Sequence, residues 1–483
     1  MVGKFFYFIN DEKNLKHCFL IAIAVTLGIF LLKFFVTGFG VYGDGLGYYT
    51  PLRSLLFDGD LRVDNEYSYY AETAGQFNSS PRVFGPIPEY SKYTVGLGMV
   101  LLPFFVLGHL VALILHQFNS AIPINGMSWP YELFYCLGSV SLGITGLALS
   151  YRFARHYFSH ISCLLAVGGI WFASPLSYYL FLEVSMSHAV SAFLIALFLY
   201  GIFTKPWLTN GHWQIILGLA IAFAAWVRPQ DVLFFLAPIL VSAIRFETQL
   251  LSNQQPGLTT ISAIHWGKIS QTIFINVTKR KFWQPLLVML TVTVLMQIPQ
   301  LLIYLWQYGG IERIPYLEEG QATGHGGSFN WLQPSLWQVL FSGHRGLFIW
   351  HPITLLAMVG LVLGWRLLPR LKTILLVTFL AQVYFISAWW SWWQGASVGG
   401  RMFSNCTFLF VFGIASFWQK FSRQRWQKWA VFVTAFFAFW NMLIVLQYQS
   451  GMIPPEAPVT LVELYQNQFK VIPFFVSHLL EKF

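Results

Sequence analysis

The sequence predicts an all-α, polytopic transmembrane helical bundle, on three observations. Of its 483 residues, 56% are hydrophobic and only 10% are charged, where soluble domains carry about 25% charged residues. Apolar runs recur from end to end, and residues 157–182, 285–306, 373–393 and 429–447 contain no Asp, Glu, Lys or Arg. About 20 apolar residues suffice to cross a hydrocarbon core of about 30 Å. Basic residues gather in short clusters between these runs, as cytoplasmic loops do. The net charge of +10 therefore reads as membrane topology, with no nucleic-acid partner.

The first run, residues 18–43, exceeds the roughly 7–15 residues of a signal-peptide core and is read as a retained first span within residues 17–43. The basic clusters lie at residues 4–16, Arg152 with Arg155, Lys205, and residues 245–281, 366–372 and 420–428. Placing them all on the cytoplasmic side pairs the spans. Residues 157–182 leave and 189–204 return; 285–306 leave and 346–365 return; 373–393 leave and 402–418 return. Residues 429–447 then leave 448–483 as an outer tail. Residues 213–244 carry Arg228-Pro229-Gln230-Asp231 in their middle, which predicts a hairpin of two short helices with Arg228 and Asp231 at its outer tip. Residues 95–115 and 131–151 are both apolar, yet only an odd number of crossings brings Arg152 inside, so 95–115 is expected to be re-entrant or interfacial. The expectation is one domain over residues 1–483 with about eleven spans. Its long first outer loop, 44–92, carries interfacial helices, and the remaining spans fall within 93–447. Cys18, Cys136, Cys163 and Cys406 lie in or beside apolar runs without metal-ligand spacing and read as small core residues.

With this topology, seven of the nineteen acidic residues fall between positions 44 and 89, in the first outer loop. Charges at membrane depth are costly and mark pathways or sites, so polar motifs converging on one face point to a cavity there. Gly43-Asp44-Gly45-Leu46-Gly47-Tyr48-Tyr49 follows the first span. It reads either as a flexible turn or as a hinge holding the Asp44 carboxylate as a general base. Asp58 and Asp60 fit a turn or a divalent-cation site. Lys92, before an apolar segment, fits an interfacial lysine or a phosphate ligand. Glu183 and His188 join two spans at the outer surface and are candidates for orienting an acceptor. Arg228 needs an anion, either Asp231 or a lipid phosphate. Trp393-Gln394 leads into a Gly-rich turn ending at Arg401, which suits phosphate at headgroup depth. His344-Arg345-Gly346 mirrors it before residues 346–365. Asn78, Asn276 and Asn405 open glycosylation sequons, a pattern short enough to arise by chance.

An acid just after the first span, a long first outer loop, a mid-chain Arg228-Pro229 and the late Trp/Gly turn ending at Arg401 resemble the GT-C superfamily of polytopic membrane glycosyltransferases. The likeness covers the organisation of most of residues 17–447. It is nearest to bacterial envelope enzymes related to aminoarabinose transferase and the protein mannosyltransferases. The resemblance implies an inverting glycosyltransferase that moves a sugar from a polyprenyl-phosphate donor to a lipid, glycan or protein acceptor. It matches Asp44 to the family's catalytic acid, and Arg228, Arg345 and Arg401 become candidates for the donor phosphate. From the residues themselves, Glu66 and Glu183 are the acids placed to assist, and Tyr48, Lys92, His188, Asp231, His344, Trp393 and Gln394 are the further substrate-binding candidates. No cofactor is required, no metal ligands are assigned, and a divalent cation remains compatible. The implied setting is a bacterial plasma membrane with its lipids around the chain and the site on the extracytoplasmic face. The sequence departs from the family where many members carry an Asp-Glu pair, since Asp44 stands between glycines. A transporter or lipid flippase is the rival reading, and it predicts charges at mid-span with broken helices in two related halves. A structural membrane scaffold is the third, and it leaves Asp44, Arg228 and Arg401 without a role.

Overall fold

A bilayer core offers no hydrogen-bond partners, so a chain this apolar must satisfy its backbone internally, and it does so with helices. The computed structural model describes residues 14–73, 89–244, 280–322, 324, 327–363, 368–421 and 424–480. Among these residues no strand forms, and only two isolated bridges occur, Arg62 with Tyr90 and Phe329 with Trp389. Asn78, Asn276 and much of the basic sequence at residues 4–16 and 245–281 lie outside the described residues.

The first span is α1 (Leu15–Thr37), followed by α2 (Asp44–Phe57) and α3 (Asp64–Thr73). Next come α4 (Gly96–Phe118), α5 (Trp129–Ala154), α6 (His160–Ala173), α7 (Pro175–Phe181), α8 (His188–Thr204) and α9 (Gly211–Val227). A 3-10 turn at Pro229–Phe235 opens α10 (Pro229–Ile244), so two short apolar helices meet at Arg228. After α11 (Arg280–Tyr308) come the short α12 (Pro315–Ala322), α13 (Leu336–Phe341) and α14 (Leu347–Trp350), then α15 (Ile353–Val362) and α16 (Pro369–Ala388). A 3-10 turn, Arg401–Cys406, leads into α17 (Thr407–Lys420), and α18 (Gln424–Gln449) and α19 (Leu461–Leu480) close the described chain.

Seven helices are long and apolar enough to cross a membrane, and eight if the bent pair α6–α7 counts as one. The shorter apolar helices α8, α9, α10 and α15 join them. The protein is thus an all-α polytopic bundle. α17 is the most enclosed of the long apolar helices, packed on α6, α5 and α15, while α1, α11 and α18 are peripheral. The periphery exposes Leu20, Leu32, Phe35, Leu295, Leu302 and Phe432, a surface that only lipid covers at no cost.

Two expected spans are interrupted, each at a proline. Residues 346–365 form no continuous span: α14 ends at Trp350, and Pro352 precedes an α15 of only 10 residues. Residues 157–182 bend by 68° between α6 and α7, where Pro175 follows Ser174. Proline supplies no N–H to the ladder and clashes with the preceding turn.

α4 meets the length and composition of a span, yet both its ends are tied to α2. A side chain at Gly98 would meet Leu52 and Tyr48 at its start. Beyond its end, the carbonyls of Asn125 and Gly126 accept from Arg53 Nε at 2.9 Å and Tyr49 Oη at 2.6 Å. The next helix then returns to the first span, because Glu132 Oε2 accepts from the backbone N–H groups of Gly40 and Val41 at 2.7 and 3.0 Å. With these contacts in place, the expectation that residues 95–115 do not cross has a direct test. In sealed vesicles, an impermeant maleimide is expected to label Asn119→Cys and Leu332→Cys from the same side and Thr209→Cys only from the other. Asn119→Cys labelling together with Thr209→Cys would mean that α4 crosses.

Candidate active site

The first span ends in a chain reversal that sets a carboxylate at a helix start. Gly43 takes φ 59°, a left-handed conformation that costs glycine little, and Asp44 opens α2. Gly45 and Gly47 are needed for proximity: a Cβ on the first would lie 2.1 Å from Ser185 Oγ, and on the second 2.2 Å from the Tyr93 ring. The Gly/Asp motif therefore lets the 183–188 loop and Tyr93 close over the start of α2.

The opposite wall is the turn 394–401. Gln394 and Gly400 have φ 72° and 68°, and Gln394 Oε1 accepts from the Met402 N–H at 2.6 Å. The turn delivers Arg401, whose Nη1 donates to Asp44 Oδ2 at 3.0 Å, joining residues 357 positions apart. Lys92 contributes positive charge near Asp44 and pairs with Glu319 at 2.9 Å. Tyr93 hydrogen-bonds Asp44 and packs on Tyr48 at 4.4 Å between ring centroids, while Ser187 Oγ donates to Tyr48 Oη at 3.2 Å.

Arg228 lies behind this pair. Its buried guanidinium donates to His188 Nδ1 at 3.2 Å and to Met402 O and Ser404 Oγ at 3.4 Å each. Among the described residues it forms no ion pair with a carboxylate. Asp231 instead accepts from Ser191 Oγ at 2.5 Å and Asn405 Nδ2 at 2.8 Å. His188 lies against Tyr179, with centroids 3.9 Å apart. Asn405, buried in this network, is not presented as a glycosylation site.

Two acids near Arg401 are driven apart. Burial by itself would raise the Asp44 carboxyl, but Arg401, Lys92 and the hydrogen bond from Tyr93 hold it below its ordinary value. Burial pushes Glu183 from 4.5 to about 7 despite its bond from Tyr178, and the Asp44 charge adds to the rise. Tyr178 Oη donates to Glu183 Oε1 at 2.9 Å, while Glu183 Oε2 is buried with no hydrogen-bond partner among the described residues. Such a separation supplies one standing carboxylate and one group that titrates near neutrality.

Other expected site residues lie elsewhere. Glu66 is fully buried with Arg53, at 3.0 Å, nine residues down α2 from Asp44, or roughly 14 Å along a helix. Burial pushes its carboxyl up to about 7 against the Arg53 charge. Asp58 meets Arg53 and Asn65, and Asp60 meets Ser54 Oγ and the Arg62 N–H. Among the described residues no three His, Cys, Asp or Glu side chains gather as metal ligands. Arg345 is buried with its donors on backbone carbonyls, and His344 stacks on Trp393 with centroids 5.4 Å apart. Lys33, inside the first span, donates to Leu182 O at 3.3 Å and sits over the Tyr42 ring.

Sequence reasoning passed over Tyr93, Ser187, Ser404, Glu319 and Glu132. Glu132 carried a legible signal, a lone acid beginning an apolar run. It anchors the end of α1 and also accepts from Tyr70 Oη at 2.9 Å. The serines gave none, since their role depends on which loops meet.

No family model matches the chain, and no curated protein matches it. Among solved structures it is similar to ArnT from Cupriavidus metallidurans bound to undecaprenyl phosphate, with a TM-score of 0.46 and 11% identity over 94% of this chain and 75% of that one. It is also similar to the Archaeoglobus fulgidus oligosaccharyltransferase in complex with zinc and sulfate, with a TM-score of 0.45, 14% identity and 92% of this chain covered. A third is AglB of the same archaeon with an inhibitory peptide and a dolichol-phosphate, at 0.40, 13% and 95%. The chain spans 58% and 55% of these last two. These likenesses concern the course of the helices; the chemistry rests on the chain's own residues.

Between about pH 4.5 and 7, folded Glu183 holds a proton that the unfolded chain has released, so its contribution to stability falls as pH rises through that window. The loss is absent below about pH 4.5 and complete above about pH 7, and is at most roughly 3 kcal/mol at about 1.4 kcal/mol per unit. Glu183→Gln is expected to flatten this part of the profile in thermal melts of purified protein. An unchanged profile would show that Glu183 is already ionised at about pH 5.

Proposed function

We propose that this chain is an inverting glycosyltransferase, moving a sugar from a polyprenyl-phosphate donor to a lipid, glycan or protein acceptor at the membrane face where Asp44 lies. The reading rests chiefly on one observation: Asp44 and Arg401, brought from opposite ends of the chain, form an ion pair at 3.0 Å at the exit of the first span. Lys92 and Arg228 stand on either side. A base next to several cations, at the depth of a lipid headgroup, suits transfer from a phosphate-linked donor.

The donor phosphate takes up the guanidinium of Arg401, with Arg228 behind it. Charge-assisted hydrogen bonds from guanidinium to phosphate are strong and well matched in geometry. Asp44, relieved of Arg401, becomes a better base and receives the proton of the acceptor hydroxyl or amine. The acceptor's electron pair forms the new bond to the anomeric carbon while the bond from that carbon to the phosphate oxygen breaks with its pair. Polyprenyl phosphate leaves as an anion, its growing charge met by the arginines. Attack opposite the leaving phosphate inverts the anomeric centre. Glu183, close enough for the Asp44 charge to raise its carboxyl, orients the acceptor. The donor's lipid tail stays in the bilayer, and a bacterial plasma membrane with the site extracytoplasmic is the setting proposed. The scheme assigns no step to a cofactor.

The test is transfer of radiolabelled sugar from a panel of polyprenyl-phosphate sugars into an envelope lipid extract. Asp44→Asn is expected to lower transfer at least 1,000-fold while retaining donor binding; Arg401→Gln is expected to weaken both, each read beside an unchanged melting temperature. Transfer surviving in Asp44→Asn would move the base to Glu183. Donor binding without turnover by the unaltered protein would replace the proposal with lipid translocation.

A further inference from the structure

Arg345 presents an unusual buried cation. It is 1% exposed, and its backbone takes φ 67°, a conformation a non-glycine residue holds only when its surroundings enforce it. Its guanidinium reaches two segments distant in sequence. Nε donates to Ser397 O at 3.0 Å, within the turn that delivers Arg401. Nη1 donates to Ala457 O at 3.3 Å, and Nη2 to Pro454 O at 2.8 Å and to Pro455 O. Its own carbonyl accepts from the Gly400 N–H at 3.0 Å, one residue before Arg401.

The neighbours of Arg345 make the same connection. His344 Nε2 hydrogen-bonds Glu456 O at 3.0 Å while its ring stacks on Trp393. His351 Nε2 hydrogen-bonds Gly399 O at 2.7 Å. A Cβ at Gly343 would lie 2.4 Å from Val459 O, so the tail passes directly against this loop. The segment 343–351 thus bridges the tail at 454–459 and the turn at 393–401.

We infer that Arg345 is a positioning residue that couples the C-terminal tail to the turn carrying Arg401, and is not itself a phosphate ligand. A guanidinium presents five N–H donors in a rigid planar fork, and here three of its nitrogens are spent on four carbonyls. A buried cation needs such satisfaction, so turning Arg345 towards a phosphate would strand it and release both segments. The tail is therefore part of the active-site wall: the order of residues 454–457 sets how firmly Arg401 is held opposite Asp44. The catalytic meaning of this coupling rests on the reading of Arg401 as the donor-phosphate ligand; the coupling itself does not.

The test is amide hydrogen exchange on the full chain in nanodiscs, read beside transfer kinetics. Arg345→Gln is expected to speed exchange at least tenfold in both 394–402 and 456–459, with α5 and α17 unchanged. Where transfer is measurable, it is expected to lower kcat more than it raises the donor KM. Arg345→Lys keeps the charge but not the fork, so it is expected to behave like Arg345→Gln. A second variant, two glycines inserted between Ser450 and Gly451, leaves Arg345 in place and slackens the tail; it should speed exchange in 394–402 as well. Faster exchange with no sugar transfer by any form keeps the coupling and defeats the glycosyltransferase reading. Unchanged exchange in 394–402 in all three variants, or activity rescued by Arg345→Lys, overturns the inference and returns Arg345 to the phosphate.

Discussion

The constraint on which the structure depends is the absence of hydrogen-bond partners in the hydrocarbon core. It forces the chain into helices and confines irregular backbone to places where protein can satisfy it. Several irregular segments are satisfied in this way by side chains: Glu132 takes N–H groups at the exit of α1, Lys33 and Tyr42 take the carbonyl of Leu182, and Arg345 takes carbonyls of the tail. A site of this kind can be built only where several helix ends coincide, which is why its residues come from the whole length of the chain.

The Asp44–Arg401 pair illustrates what such a region can do. The pair is half-buried, so removing one member leaves the other partly desolvated and without its charge partner. In the proposed transfer, a donor phosphate at Arg401 replaces the carboxylate as partner, so the guanidinium stays satisfied while Asp44 loses the neighbour that depresses its basicity. Binding and activation of the base are then one event. The same reasoning separates the arginines. Arg401 has a partner that can be exchanged, and among the described residues Arg228 bonds neutral groups, whereas Arg345 is committed to carbonyls whose positions the turn depends on.

Much of this was legible in the sequence for a simple reason: apolar length and the placement of basic loops are one-dimensional properties. The first span and the break between two short helices at Arg228-Pro229 both followed from them. Asp44 and Arg401 stood out because a charge beside glycines at the end of an apolar run is expensive unless it is used. The interruptions at Pro175 and Pro352 were also written in the sequence, but hydropathy averages over a proline, so runs 157–182 and 346–365 read as unbroken. Glu66 was misplaced because proximity in sequence to Asp44 says nothing about the direction of α2, which carries it towards Arg53.

The sequence by itself determined the class of structure, an all-α polytopic bundle, because the hydrocarbon solvent imposes helices on a chain this apolar. The tertiary structure alone decided partnership. That Arg401 meets Asp44, that Asp231 turns to Ser191 and Asn405 rather than to Arg228, and that Arg345 holds the tail depend on which helix ends come together. Such contacts are set by packing between segments hundreds of positions apart, and no local pattern of residues encodes them.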